Sequence, residues 1–218
     1  IIYCHIPFLY YLLQMFIPEI MDKMNWRKTK LLIKSDLRRL NKTNNWRVIN
    51  YLFTNASFKI TFWFRIGSYL QTRKGLLWKF LFLIISLIHK HYQYLTGIQL
   101  SIGTQVGEGV NFPHFSCIII NGSDIIGKNC TIYQGVTIGS VRGKKGAPII
   151  GDNVVIASHV QIIGNVKIGN NVMIGAGSII TKDIPDNAVV IGNPAHIISY
   201  NGLEHIKYFI NNESNTNP

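Results

Sequence analysis

The chain has 218 residues, 47% hydrophobic and 15% charged, with 22 Lys and Arg against 10 Asp and Glu. This is ample core material for one large domain or two small ones, and it excludes a coiled coil or a disordered chain, both richer in charge and poorer in Ile, Leu and Phe. Three cysteines (Cys4, Cys117 and Cys130) are too few for a disulfide framework or a Cys-rich zinc module.

The charge is uneven. Residues 1–97 carry 15 Lys and Arg against 3 Asp and Glu, net +12, whereas residues 98–218 carry 7 of each. A boundary is therefore expected near Gly97, dividing a basic, aromatic-rich helical region (1–97) from a neutral region (98–198) and a C-terminal helix and tail (199–218).

From Ile1 to Ile20 the chain is mostly apolar, but Pro7, Gln14 and Pro18 interrupt it before it reaches the roughly 20 residues that span a bilayer. The segment lacks the basic start and small-residue cleavage site of a secretory signal. A translation start at Met21 or Met24, just ahead of the basic stretch, is one expectation for this segment.

LLIKSDLRRL (31–40) and WRVINYLF (46–53) read as short amphipathic helices, and Leu76–Ile88 is nearly all apolar apart from Lys79. Two readings of this half stay open. One is a helical cap and subunit-packing region with solvated charges. The other is contact with an anionic membrane surface, favoured by Trp46, Trp63, Trp78 and Tyr69 among the basic residues. No nucleic-acid-binding motif accompanies the charge.

The second half repeats every six residues. Stepping by six from Ile102 to Ile180 gives isoleucine in eleven of fourteen slots, and four residues beyond each slot lies a second, mostly apolar or small series from Val106 to Ile184. A helix of 3.6 residues per turn cannot hold period six on one face, so the pattern is not helical. Short strands joined by tight corners can, with each strand pairing with its equivalent one coil away. The strings Ile126-Gly-Lys-Asn, Ile150-Gly-Asp-Asn and Ile168-Gly-Asn-Asn supply Gly and Asn for such corners. The eighteen residues from Ile150 to Ile168 make three hexads, hence a triangular coil.

Three slots break the isoleucine series: Glu108, His114 and Lys144. Lys144 lies in Ser140–Ala147, with Arg142, Lys145 and two glycines, and reads as a loop thrown out of the coil. His114 carries the side chain best suited to general-base work near neutral pH. His159 has a weaker claim, and Cys117 and Cys130 read as small core residues. No Ser/His/Asp or metal-ligand spacing is present.

The hexads, the excursion after Gln134-Gly-Val-Thr-Ile-Gly139 and the ending Ile174-Gly-Ala-Gly-Ser-Ile-Ile-Thr-Lys-Asp-Ile-Pro185 through Gly192-Asn-Pro-Ala195 resemble the hexapeptide-repeat acyltransferases over residues 98–198. Within that family the chain resembles the serine acetyltransferase branch, especially colanic-acid-type polysaccharide O-acetyltransferases. The resemblance implies a mainly β, α+β fold: a left-handed parallel β-helix behind an α-helical N-terminal region. It also implies a homotrimer with clefts between neighbouring prisms, and acetyl-CoA as donor.

His114 is then the general base. Gly139, Ala157 and Ala176 line the pantetheine arm, and Lys144, Lys145 and Lys182 meet the CoA phosphates. Glu108 or a backbone carbonyl is left to orient the imidazole. Pro113, Gln99 and Gly146-Ala147-Pro148 stand where the serine enzymes usually have Asp, Asp and Arg-His-Pro. A zwitterionic acceptor needs charged partners, so the expected acceptor is a sugar hydroxyl of a surface polysaccharide or its lipid-linked precursor, bound by Asn111, Phe112, Phe115 and Gln134. The alternative is serine O-acetylation in cysteine biosynthesis. The expected location is cytoplasmic, peripheral on the inner membrane face.

Overall fold

The computed structural model describes residues 25–40 and 47–210. The expectations for Ile1–Ile20, the two methionine starts and Trp46 fall outside them. Four helices come first, α1 (Trp26–Leu40), α2 (Arg47–Thr54), α3 (Ala56–Gln71) and α4 (Leu76–Thr96). The strands follow: β1 (Ile98–Leu100), β2 (Gln105–Val106), β3 (Ile118–Ile120), β4 (Ile125–Ile126), β5 (Thr131–Ile132), β6 (Thr137–Gly139), β7 (Ile149–Ile150), β8 (Val155–Ile156), β9 (Gln161–Ile163), β10 (Lys167–Ile168), β11 (Met173–Ile174), β12 (Ile179–Ile180), β13 (Val189–Gly192) and β14 (Ala195–Ser199). A last helix, α5 (Gly202–Ile210), ends the described chain. The side chains of Asn25 and Asn55 cap α1 and α3 by accepting from the Lys28 and Phe58 amides. Gly97, left-handed at φ 68°, ends α4, and β1 begins at the next residue.

The strands form the parallel β-helix that the repeat predicts. Face A stacks β1-β3-β6-β9-β12, face B stacks β2-β4-β7-β10, and face C stacks β5-β8-β11-β13, with β14 closing it antiparallel to β13. The register puts isoleucine on isoleucine: Ile120 on Ile138 on Ile162 in face A, Ile126 on Ile150 on Ile168 in face B, Ile132 on Ile156 on Ile174 in face C. All nine are buried in one continuous core. In the last coil Ile174 pairs with Val190 only sixteen residues on. Among these nine, partners are eighteen residues apart except across the Ser140–Ala147 excursion, where the gap is twenty-four. The loop thus consumes one hexad and leaves the phase intact.

The corner between faces B and C explains the Ile-Gly-x-Asn strings. Asn129, Asn153, Asn171 and Asn187 adopt φ of 55–60° and form an amide ladder, each of the first three donating Nδ2 to the next Oδ1 at 3.0–3.1 Å. Asn tolerates this left-handed conformation because its short amide bonds locally. A Cβ on Gly127 would collide with the Gly151 carbonyl of the next coil, so no larger residue fits.

The first coil departs from the repeat. Leu100 pairs with Ile120, and Val106 with Ile126, twenty residues away rather than eighteen. The two extra residues lie between Asn111, which bridges Thr131, and Ile119, which pairs with Thr137. Leu100, Val106 and Phe112 therefore fill the ladder positions, and Glu108 and His114 are moved onto the surface. Phe112, expected to bind substrate, is 1% exposed and belongs to the core.

Helix α3 closes the open end of the prism. Its Ile60 and Phe64 join the core of Ile98, Leu100, Val110 and Phe112. Arg65, 1% exposed, makes a two-pronged ion pair with Asp36 of α1, Nε to Oδ2 at 2.8 Å and Nη2 to Oδ1 at 3.1 Å. It also donates to the carbonyls of Val106 and Gly107, while Asp36 accepts from the Gly109 and Val110 amides. One buried pair thus ties two helices to the first coil. Arg65→Met should cost about 3–5 kcal/mol in urea unfolding, because it strands a buried carboxylate. A cost below about 1 kcal/mol would show that the pair holds nothing together.

Candidate functional site

The corner between faces C and A runs as a column along the prism. His114 and Phe115 lie on its first coil, Tyr133 and Gln134 on the second, Ala157 and His159 on the third, and Ala176 on the fourth. The two-residue expansion of the first coil makes His114 project into solvent, with its ring centroid 6.0 Å from that of Tyr133. Among the described residues no group hydrogen-bonds this imidazole. Glu108, one candidate to orient it, instead pairs with Lys128 at 3.6 Å on the corner between faces B and C.

Gln134 lies on this column. Asn111, expected to bind substrate, instead pairs with Thr131 on face C, where Thr131 accepts from Arg39 of α1. It lines a small cavity with Asp36 of α1 and with Ser57 and Phe58 of α3. Asn111 Oδ1 and Gln134 Oε1 are buried and have no hydrogen-bond partner among the described residues. Neutral amide oxygens left open in this way suit a donor-rich ligand. His159 holds φ 59° at a position where the coils on either side have Gly135 and Gly177, and its ring lies over Gly135. Cys117, read from sequence as a core residue, is exposed beside His114. Cys130 is buried, and desolvation pushes its thiol up to about 12, which leaves it inert.

The remaining cofactor candidates lie at the other edge of face A. Gly139 ends β6 there, exposed Lys144 and Lys145 stand in the excursion that follows, and exposed Lys182 follows β12. One chain thus presents the histidine column and the lysine-bearing edge on opposite sides of one face. Sequence reading missed Tyr133 and Phe209, whose rings meet edge to face with centroids 6.5 Å apart, bringing α5 back to the histidine column. Hexad phase held the signal for Tyr133, which follows Ile132 as Ala157 follows Ile156.

Residues 147–182 match the family model described as bacterial transferase hexapeptide (six repeats). The chain is 37% identical over 130 residues to a serine acetyltransferase of Staphylococcus xylosus, covering 59% of this chain and 60% of that protein. It spans about 60% of the length of this curated relative. Among solved structures, soybean serine acetyltransferase complexed with serine superposes with a TM-score of 0.65 at 26% identity, covering 78% of this chain and 69% of that one. A Brucella abortus serine acetyltransferase in complex with coenzyme A superposes at 0.67 and 20% identity, covering 80% and 69%, and shows the shared fold.

These findings support the hexapeptide-repeat acyltransferase resemblance and correct its finer branch. The relatives and solved structures named above are serine acetyltransferases, and the polysaccharide acceptor expected from Gln99, Pro113 and Gly146-Ala147-Pro148 is overturned in favour of the serine alternative. Missing charges at three positions are negative evidence, and similarity over more than half the chain outweighs them.

Two buried titratable groups flank face A. His89 of α4 bonds the Leu100 carbonyl through Nε2 at 2.7 Å, and burial pulls it down to about 4, so it is neutral at pH 7. Asp124 fills an apolar slot at the lysine-bearing edge, and desolvation pushes it up to about 7, opposed weakly by the Asn121 amide. A carboxyl held above its unfolded value of 3.8 contributes stability at low pH that is lost as pH rises through 7. Asp124→Asn should therefore gain on the wild type in urea midpoint between pH 4 and pH 7, with a constant gap above. Parallel profiles would contradict the assignment.

Proposed function

We propose that this chain is an acetyl-CoA-dependent O-acetyltransferase acting on the hydroxyl of L-serine, with His114 as general base. The observation that carries the proposal is the placement of His114. It is an unbonded, exposed imidazole on one corner column with Ala157 and Ala176, in a chain similar to serine acetyltransferases. The imidazole takes the hydroxyl proton as the serine oxygen attacks the thioester carbonyl, and a backbone N–H bears the oxyanion of the tetrahedral intermediate. Collapse breaks the C–S bond, and the imidazolium returns its proton to the departing thiolate.

The serine ammonium is met by the amide of Gln134, which lies on the column one coil from His114. A neutral acceptor replaces the carboxylates that Pro113 and Gln99 do not supply. The lysine edge, with Gly139, Lys144, Lys145 and Lys182, meets the CoA phosphates. Assembly as a homotrimer sets that edge of one protomer against the histidine column of the next, which joins the two groups into one cleft.

The test is acetyl transfer from labelled acetyl-CoA to L-serine by the purified chain. His114→Ala should lower kcat by about 10²–10⁴ with an unchanged melting temperature. Gln134→Ala should raise KM for serine while leaving kcat near wild type. Transfer indifferent to His114→Ala, or no transfer to L-serine, would overturn the proposal.

A further inference from the structure

Helix α4 carries apolar side chains on both of its sides. Its inner side buries Phe82 with Trp78, Leu81 and Ile85 packed beside it, and toward the C-terminus it buries the polar His89, Gln93 and Thr96. On its outer side Leu76, Leu77, Phe80, Leu83, Ile84 and Leu87 each leave 38–85% of their surface in water, and Tyr94 and Leu95 extend the row toward the C-terminus. At 100° per residue these eight side chains fall within an arc of about 120°, in which His91 is the single polar residue. The stripe follows a 21-residue helix about 30 Å long.

The edges of the stripe are basic. Lys79 and Lys90 lie along one side, and Arg73 and Lys74 precede the first turn. Lys90 Nζ stands 5.0 Å from the Tyr94 ring centroid, Lys59 Nζ 5.8 Å from that of Tyr92, and the Arg73 guanidinium 4.4 Å from that of Tyr69. Long basic side chains beside aromatics at the rim of an apolar face can keep their heads in the polar layer while their stems cover hydrocarbon. Among the described residues no helix is long and apolar enough to cross a membrane. The geometry is that of a helix lying along an interface.

We propose that this face of α4 docks the protein on an anionic lipid surface. Charge decides between lipid and a second copy of the chain. The region that carries the stripe has net charge +12, so two such faces brought together repel, whereas an anionic headgroup layer is complementary to them. The neutral β-helix takes no part in the attraction, and the docking is independent of the acetyl-transfer reading.

Flotation of the full chain with phosphatidylcholine vesicles, alone or mixed with phosphatidylglycerol, tests the proposal alongside the oligomeric mass in solution. The chain should float with the mixed vesicles and be released by salt. Lys79→Gln with Lys90→Gln should weaken partitioning by about fivefold per lysine. Leu83→Asp with Leu87→Asp should abolish it, with melting temperature and oligomeric mass unchanged. Failure of the folded wild type to bind mixed vesicles would overturn the proposal. A smaller oligomer in the Leu83→Asp, Leu87→Asp variant would overturn it in favour of a second copy.

Discussion

Each strand from β1 to β12 has only two or three residues in which to satisfy its backbone, and its partners must come from the coils above and below. That constraint fixes the rest of the structure. A stacked strand keeps its neighbours only if the chain returns to the same place, facing the same way, after each coil. The six-residue phase is therefore held across the Ser140–Ala147 excursion, which uses up one whole hexad before Ile150 resumes face B. It also forces Gly127 and the Asn129–Asn187 ladder into one corner, since the coils approach too closely there for other side chains.

The phase slips in the first coil and again in the last, and the first slip is where chemistry becomes available. Two additional residues between Asn111 and Ile119 leave the strands of the first coil paired but widen the corner. The widened corner keeps Phe112 in the core and leaves His114 in solvent at the head of the column that carries Tyr133, Gln134, Ala157, His159 and Ala176. Immediately before it, the Asp36–Arg65 pair grips the backbone from Val106 to Val110, so the helices fix the approach to the expanded corner. A buried ion pair is a poor source of stability compared with apolar packing, but its directional hydrogen bonds set one orientation.

Much of this was legible in the residues. Periodicity of six names the β-helix because no other regular structure keeps it, and the Gly and Asn of the corners follow from backbone sterics. Helix α3 was not legible: its pattern mixes a prism-capping face, a buried Arg65 and contacts to α4, so no single stripe marks it. Phe112 was misread, because a strict count of six cannot detect a two-residue slip. Cys117 was misread for the same reason. The acceptor was misjudged on missing charges, whereas Asn111 and Gln134 show as open acceptors only once their surroundings are known.

The central claim is that the column led by His114 is where the acetyl group is transferred. A crystal structure of the chain with bound CoA tests it most directly. The account predicts the pantetheine arm lying past Ala176 and Ala157, with its sulfur beside the His114 imidazole and its phosphates at the lysine-bearing edge of a neighbouring protomer. CoA bound away from this column, or with its sulfur turned from His114, would contradict it.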